Sequence, residues 1–271
     1  MNQINNPNEL MHNLPLAEER IAKQEKNFYG IKSISDLVLH EQDFFSAMEL
    51  EEKENKLVLQ GDGAINKEGL IRGIAYCVLT PRQKYPELIQ AFSSLLDGNG
   101  NIQKFSSQKE ITDLLGESRI VHANQKAGYI YQSLSKDYFA LLLNILASVN
   151  TTRKNEVLLR DQLCEEVTGI GLKTGSLLLR MCGAKELVPI DSWIMEMLFF
   201  HGYDCKMPRT KVIRPAWGKE NVFSNKFKKS SLDKEQYLRA ENFALDLAKK
   251  YGVSGHLLHS AFYAKKSSYG K

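Results

Sequence analysis

The sequence predicts an all-α protein, and three observations carry that expectation. Apolar residues recur at helical spacing in window after window beyond residue 60. The breaks between windows hold Gly, Pro, Asn and Asp, the residues that stop one helix and cap the next. No sustained run of alternating apolar and polar residues, the mark of a half-buried strand, appears. With 271 residues, 43% of them hydrophobic, the chain can build one large domain or two packed lobes.

Residues 1–60 read as a helical, acid-rich N-terminal extension that ends in the alternating Lys56-Leu57-Val58-Leu59-Gln60 and the turn Gly61-Asp62-Gly63. The main body is expected over 61–271. Its first helix runs from Glu68 to Leu79, and the next from Pro86 to Leu96, stopped by Gly98-Asn99-Gly100. A helix through Arg119 to Leu134 and another from Tyr138 to Val149 follow. Two helices then flank Thr168-Gly169-Ile170-Gly171, and a short helix opens at Asp191. A basic loop over 206–229 precedes two closing helices, with Asp233 and Ser254 at N-cap positions and Gly252 just past a helix end.

Composition limits the chemistry. Cys77, Cys164, Cys182 and Cys205 stand far apart without paired spacing, which argues against a zinc site, a disulfide framework or an iron–sulfur cluster. They read as structural thiols, and ordinary side chains must carry any reaction, with no metal and no cofactor. The longest apolar run, around Ala140 to Val149, falls short of the roughly 20 residues a membrane span needs. A cytoplasmic monomer is expected, held at the nucleoid when bound to its partner. The net charge is only +4, yet residues 205–271 carry fifteen Lys or Arg against five Asp or Glu. A basic half joined to an acid-rich start suits a protein that docks on a phosphate backbone.

The informative segment is Leu163-Cys164-Glu165-Glu166-Val167-Thr168-Gly169-Ile170-Gly171-Leu172-Lys173-Thr174-Gly175, within a helix–hairpin–helix of about 155–182, closed by Val188-Pro189-Ile190-Asp191-Ser192-Trp193. Gly169 and Gly171 permit positive φ and close backbone approach, so the two helices can be joined by a tight hairpin. Backbone N–H groups at the start of the second helix then offer a phosphate site. Lys173 falls in the first turn of that helix, where the positive end of the dipole disfavours an ammonium and makes an amine nucleophile more available. Asp191 follows Pro189-Ile190 and should cap the next helix with its carboxylate. Read singly, these are a turn, a surface lysine and a cap; their joint occurrence at this spacing is far more specific.

On these residues the chain resembles the helix-hairpin-helix DNA glycosylase superfamily, in particular the 8-oxoguanine DNA glycosylase branch of archaeal type that has lysine in the hairpin. The likeness is strongest over about 155–200. It extends through Arg119-Ile120-Val121-His122 with Lys126-Ala127-Gly128-Tyr129-Ile130, and through Tyr237-Leu238-Arg239-Ala240-Glu241. The resemblance implies a two-lobed helical fold that grips bent double-stranded DNA containing a damaged or modified base. Lys173 would attack C1′ of the deoxyribose and form a Schiff base, and Asp191 would steady the oxocarbenium-like charge. Gly169, Gly171 and Thr174 of the hairpin would hold a phosphate, with Lys126 also on DNA. Relatives without the lysine only release the base, so Lys173 implies abasic-site lyase activity as well.

Two stretches depart from the family's pattern. Where relatives carry Asn-rich residues that fill the gap left by the flipped base, this chain has Pro81-Arg82-Gln83-Lys84-Tyr85, which offers Arg82, Gln83 or Tyr85 for gap filling and Arg82, Gln83 and Lys84 for DNA contact. Near the end, Leu257-Leu258-His259-Ser260-Ala261-Phe262-Tyr263 stands where archaeal relatives have an Asp-Leu and a Trp. The base pocket is therefore expected around Leu177, Met181, Phe262, Tyr263 and Lys271. Trp217, Phe223 and Phe227 interleave with lysines in the basic loop, a pattern that suits backbone tracking, whereas His256 and His259 lack a third metal ligand. The leading expectation is a bifunctional glycosylase and lyase for 8-oxoguanine. A glycosylase for another modified base, such as one in foreign (phage) DNA, and a non-catalytic helix-hairpin-helix DNA-binding module are the alternatives.

Overall fold

The computed structural model describes residues 39, 43–49, 52, 66–148, 152–201, 203 and 232–268. Among them there is no strand, only an isolated bridge between Leu96 and Ile102. The alternating 56–60 segment, the basic loop over 206–229 and Lys271 lie outside the described residues. The chain divides into two compact units, one of residues 52–187 and one that joins 1–51 to 188–271.

The unit of residues 52–187 holds seven of the helices that can be described. α1 (Lys67–Leu79) starts at Asn66, whose side chain accepts from the Gly69 N–H at 2.7 Å. α2 (Tyr85–Ser94) has a proline in its first turn, where the missing N–H costs nothing. The Gly98–Gly100 turn is closed by Asp97, whose carboxylate accepts from the N–H groups of Asn99 and Asn101. α3 (Gln108–Glu117), α4 (Ala123–Ser135) and α5 (Phe139–Ser148) follow. α6 (Arg153–Glu166), capped by Thr152, and α7 (Leu172–Met181) form the hairpin pair. Leu70, Ile74, Phe92, Leu95, Ile111 and Leu178 are among the fully buried side chains of one continuous core. Tyr76 meets Phe92 edge to face with ring centroids 5.3 Å apart.

Here the structure corrects one expected element. Arg119 to Leu134 is not a single helix: a turn over 118–122 precedes α4, and the segment before it forms α3. Arg119 and His122 both take the left-handed conformation, φ 57° and 59°, which ends any helix of L-residues. What holds them there is tertiary. The Val121 N–H donates to Gln83 Oε1 at 3.0 Å, and Arg82, itself at φ 60°, pairs with His122 at 3.3 Å.

The second unit holds α8 (Ser192–Phe200), α9 (Lys234–Tyr251) and α10 (Gly255–Ser268). α9 begins with a reciprocal capping box between Asp233 and Gln236 and ends at Gly252 with φ 68°, as the sequence predicts for both termini. Trp193, Leu198, Ala244, Ala248, Leu258 and Phe262 are buried in this unit, and Phe44 of the helical 43–49 segment packs on Tyr251 at 5.6 Å. Among the described residues no helix is long and apolar enough to cross a membrane.

Candidate active site

The hairpin between α6 and α7 is built from the residues that its sequence singles out. Gly169 has φ +89°, a conformation that side chains rarely adopt, and a Cβ there would lie 2.3 Å from the Tyr129 ring. Gly171, by contrast, is extended at φ −120°, so only one of the two glycines uses its freedom to take positive φ. A Cβ on Gly171 would meet nothing within 4 Å. The hairpin is closed by Thr174, which is buried: its hydroxyl accepts from the Gly171 N–H at 2.9 Å and donates to the Gly171 carbonyl at 3.2 Å. Thr174 therefore sets the shape of the loop from within.

The two hairpin helices pack closely. A Cβ on Gly175 would come within 3.1 Å of Arg160 Cγ, and Arg160, fully buried, donates to Ser176 at 3.3 Å. Lys136 closes the end of α6 by donating to the Glu166 carbonyl at 2.9 Å. This frame leaves Lys173 half-buried as the second residue of α7, two positions after the glycine that caps the helix. Gly169→Ala is expected to strain both the backbone and the Tyr129 ring, with about 1–3 kcal/mol from the backbone alone. Thermal melting should show a lower midpoint and abasic-duplex titration a weaker affinity; unchanged values in both would deny the hairpin its need for glycine.

Asp191 is the N-cap of α8. Its Oδ1 accepts from the Ile194 N–H at 2.9 Å, and its Oδ2 accepts from the Tyr263 hydroxyl on α10. The chain leading to it is clamped from α9. Tyr237 accepts from the Ile190 N–H at 3.1 Å and donates to the Val188 carbonyl at 3.2 Å, while Glu241, fully buried, accepts from the Val188 N–H at 3.1 Å. In the other unit Glu156 performs the same service for the segment just before, accepting from the N–H groups of Lys185 and Glu186. No functional role is predicted from the sequence for these clamps. A signal was present: Tyr237 and Glu241 are one turn apart on the apolar stripe of Ala240, Ala244 and Ala248, where a carboxylate needs a donor.

The remaining expected residues fall in different places. Arg82, Gln83 and Lys84 form an exposed to half-exposed turn after α1. Gln83 bridges to Glu87 and to the 118–122 turn, so it organises the loop pair while Arg82 and Lys84 face outward. Lys126 is turned inward. Only 5% exposed, it donates to the carbonyls of Leu79 at 2.7 Å and Pro81 at 2.9 Å, and burial, helped by the Arg82 charge, pulls its pKa down to about 8. It anchors the turn that carries Arg82. Leu177 and Met181 belong to the core of one unit and Phe262 to that of the other, whereas Tyr263 is half-buried.

The nucleophile question narrows further. Cys77, Cys164 and Cys182 are free thiols, and burial pushes the Cys182 thiol up to about 12, which leaves it inert at neutral pH. Among the described residues no cluster of three or more His, Cys, Asp or Glu is arranged to hold a metal. His259 instead stacks obliquely on Tyr263 with centroids 5.0 Å apart.

Comparison with known proteins places this geometry. The 8-oxoguanine DNA glycosylase/AP lyase of Korarchaeum cryptofilum is 24% identical over 187 residues, 69% of this chain and 75% of its own length. The enzyme of the same name from Sulfolobus acidocaldarius is 23% identical over 235 residues, covering 87% of this chain and 98% of its own. Among solved structures, the 8-oxoguanine DNA glycosylase of Thermotoga maritima superposes with a TM-score of 0.60 at 20% identity, over 85% of this chain and 93% of that one. The Methanocaldococcus jannaschii 8-oxoguanine glycosylase/lyase, in complex with a 15mer DNA containing 8-oxoguanine, gives 0.57 at 19% identity, over 80% and 89%. These likenesses show the fold. The sequence profile described as Ogg-HhH, 8-oxoguanine DNA glycosylase, matches residues 60–253, which take in the hairpin, Lys173 and Asp191 together, and this chain belongs to that family.

Proposed function

We propose that this protein is a bifunctional DNA glycosylase and abasic-site lyase that removes an oxidised base, 8-oxoguanine, from double-stranded DNA. The observation that carries the reading is the joint occurrence in one sequence, 18 positions apart, of Lys173, in the first turn after a glycine hairpin, and Asp191, a carboxylate that caps the start of α8. A helix-hairpin-helix module that only binds DNA has no use for both. The Lys173 amine attacks C1′, the glycosidic bond breaks, and the base leaves with the bonding electrons and takes up a proton as the amine gives one up. Ring opening gives a Schiff base, from which elimination of the 3′ phosphate nicks the strand. Asp191 stabilises the positive charge that builds on the sugar.

The hairpin backbone at Gly169 and Gly171 holds a phosphate, supported by the space above Gly171 and the positive end of α7. Arg82 and Lys84 meet the duplex where the base is flipped out, from a turn that Gln83 fastens to the 118–122 turn. Their turn and the 118–122 turn hold all three described non-glycine residues at positive φ, Arg82, Arg119 and His122. Such strain persists where a site needs a side chain aimed outward from a fixed backbone.

A panel of duplexes with different modified bases, assayed with and without hot alkali, tests this reading. The expected result is fastest release from the 8-oxoguanine duplex, with strand cleavage that needs no alkali. Fastest release of another modified base would favour the second reading, which the unusual Pro81–Tyr85 turn and final helix support. No release from any duplex would leave only a DNA-binding module.

A further inference from the structure

We propose that Tyr263 is a positioning residue for Asp191: its phenol holds the carboxylate in one orientation, so that Asp191 acts as a fixed negative charge toward the sugar and not as a mobile proton carrier. This rests on the catalytic reading of Asp191 given above.

The contact joins residues 72 apart in sequence and fastens α10 to the start of α8. A second bond runs from the Trp193 indole N–H to the Phe262 carbonyl at 2.9 Å, so the residues on either side of Ser192 are each tied to consecutive residues of α10. Asp191 thereby has a donor on each oxygen, the Ile194 N–H on one and the Tyr263 O–H on the other. A carboxylate with one donor can rotate about its own bond; with donors on both oxygens it cannot turn without breaking one of them. Tyr263 is itself steadied by the buried His259 ring against its face. The Tyr237 and Glu241 clamps fix the backbone that enters the site, and Tyr263 fixes the side chain. A hydroxyl engaged in this way also gives Tyr263 a different task from stacking on a flipped base. Residue 263 lies beyond the 60–253 span matched by the family profile.

A double-mutant cycle tests this with Tyr263→Phe, Asp191→Asn and the pair, each measured for single-turnover base release, abasic-duplex affinity and melting midpoint. Tyr263→Phe keeps the ring and its His259 contact, so fold and affinity should persist while base release slows roughly 10- to 100-fold, the range for a hydrogen bond to a charged group. In the Asp191→Asn background the same substitution should change the rate by less than about twofold, because the carboxylate it serves is gone. A purely structural Tyr263 would slow both backgrounds alike, and that additivity would overturn the proposal. So would a parental rate in Tyr263→Phe. Near-parental turnover in Asp191→Asn alone would instead overturn the catalytic reading of Asp191, and the positioning role with it.

Discussion

Replacing Lys173 by glutamine is expected to abolish both borohydride trapping and base release. Borohydride reduces a Schiff base to a stable amine, so the parent protein should become covalently joined to abasic or lesion-containing DNA. Glutamine keeps the helix preference of lysine and is only one atom shorter, but has no nucleophilic lone pair on its amide nitrogen. The substitution falls on the second residue of α7, while the hairpin itself is closed by Thr174 and shaped by Gly169, so the fold and duplex binding should survive. Loss of a nucleophile removes the step on which both reactions depend, and base release should fall at least about a thousandfold. Gel-resolved trapping beside single-turnover excision measures both. Undiminished trapping by Lys173→Gln would place the nucleophile elsewhere.

Asp191→Asn should separate the two tasks that this residue combines. Asparagine is as good an N-cap as aspartate, and its amide oxygen can accept from the Ile194 N–H in place of Oδ1, so α8 should stay capped. The amide cannot, however, offer a negative charge to a sugar that is becoming cationic. Removing one such electrostatic partner from an enclosed site costs roughly 10²- to 10³-fold in rate. Melting midpoint and abasic-duplex affinity close to the parent, beside a single-turnover rate reduced by that factor, is the expected pattern. A near-parental rate would show that Asp191 is a helix cap and nothing more.

Much of the site was legible because its logic is local. Gly169 needs positive φ, Asp191 caps the helix that begins one residue later, and Lys173 lies within a turn of Gly171; each relation spans at most three or four residues. The same reach explains the errors. Arg119 to Leu134 has helical spacing, but two left-handed residues stabilised from the Arg82–Gln83 turn, 36 to 40 positions away, break it. Lys126 reads as a cation available to phosphate, yet it is drawn inward because the carbonyls at the end of α1 need a donor. Both hairpin glycines are free to take positive φ, and only the folded chain decides that Gly169 does so while Gly171 is extended.

What the sequence by itself determined is the all-α class, the hairpin, and the positions of Lys173 and Asp191 at the starts of their helices. Periodicity, capping and glycine stereochemistry act between neighbours in the chain and are written there in full. Only the tertiary structure decided that the backbone before Asp191 is clamped by Tyr237 and Glu241, and that its carboxylate is held by Tyr263 from 72 residues away. Those partners meet because α8, α9 and α10 pack through shared apolar faces, and a buried polar group must then find its hydrogen bond on whichever element the packing brings beside it.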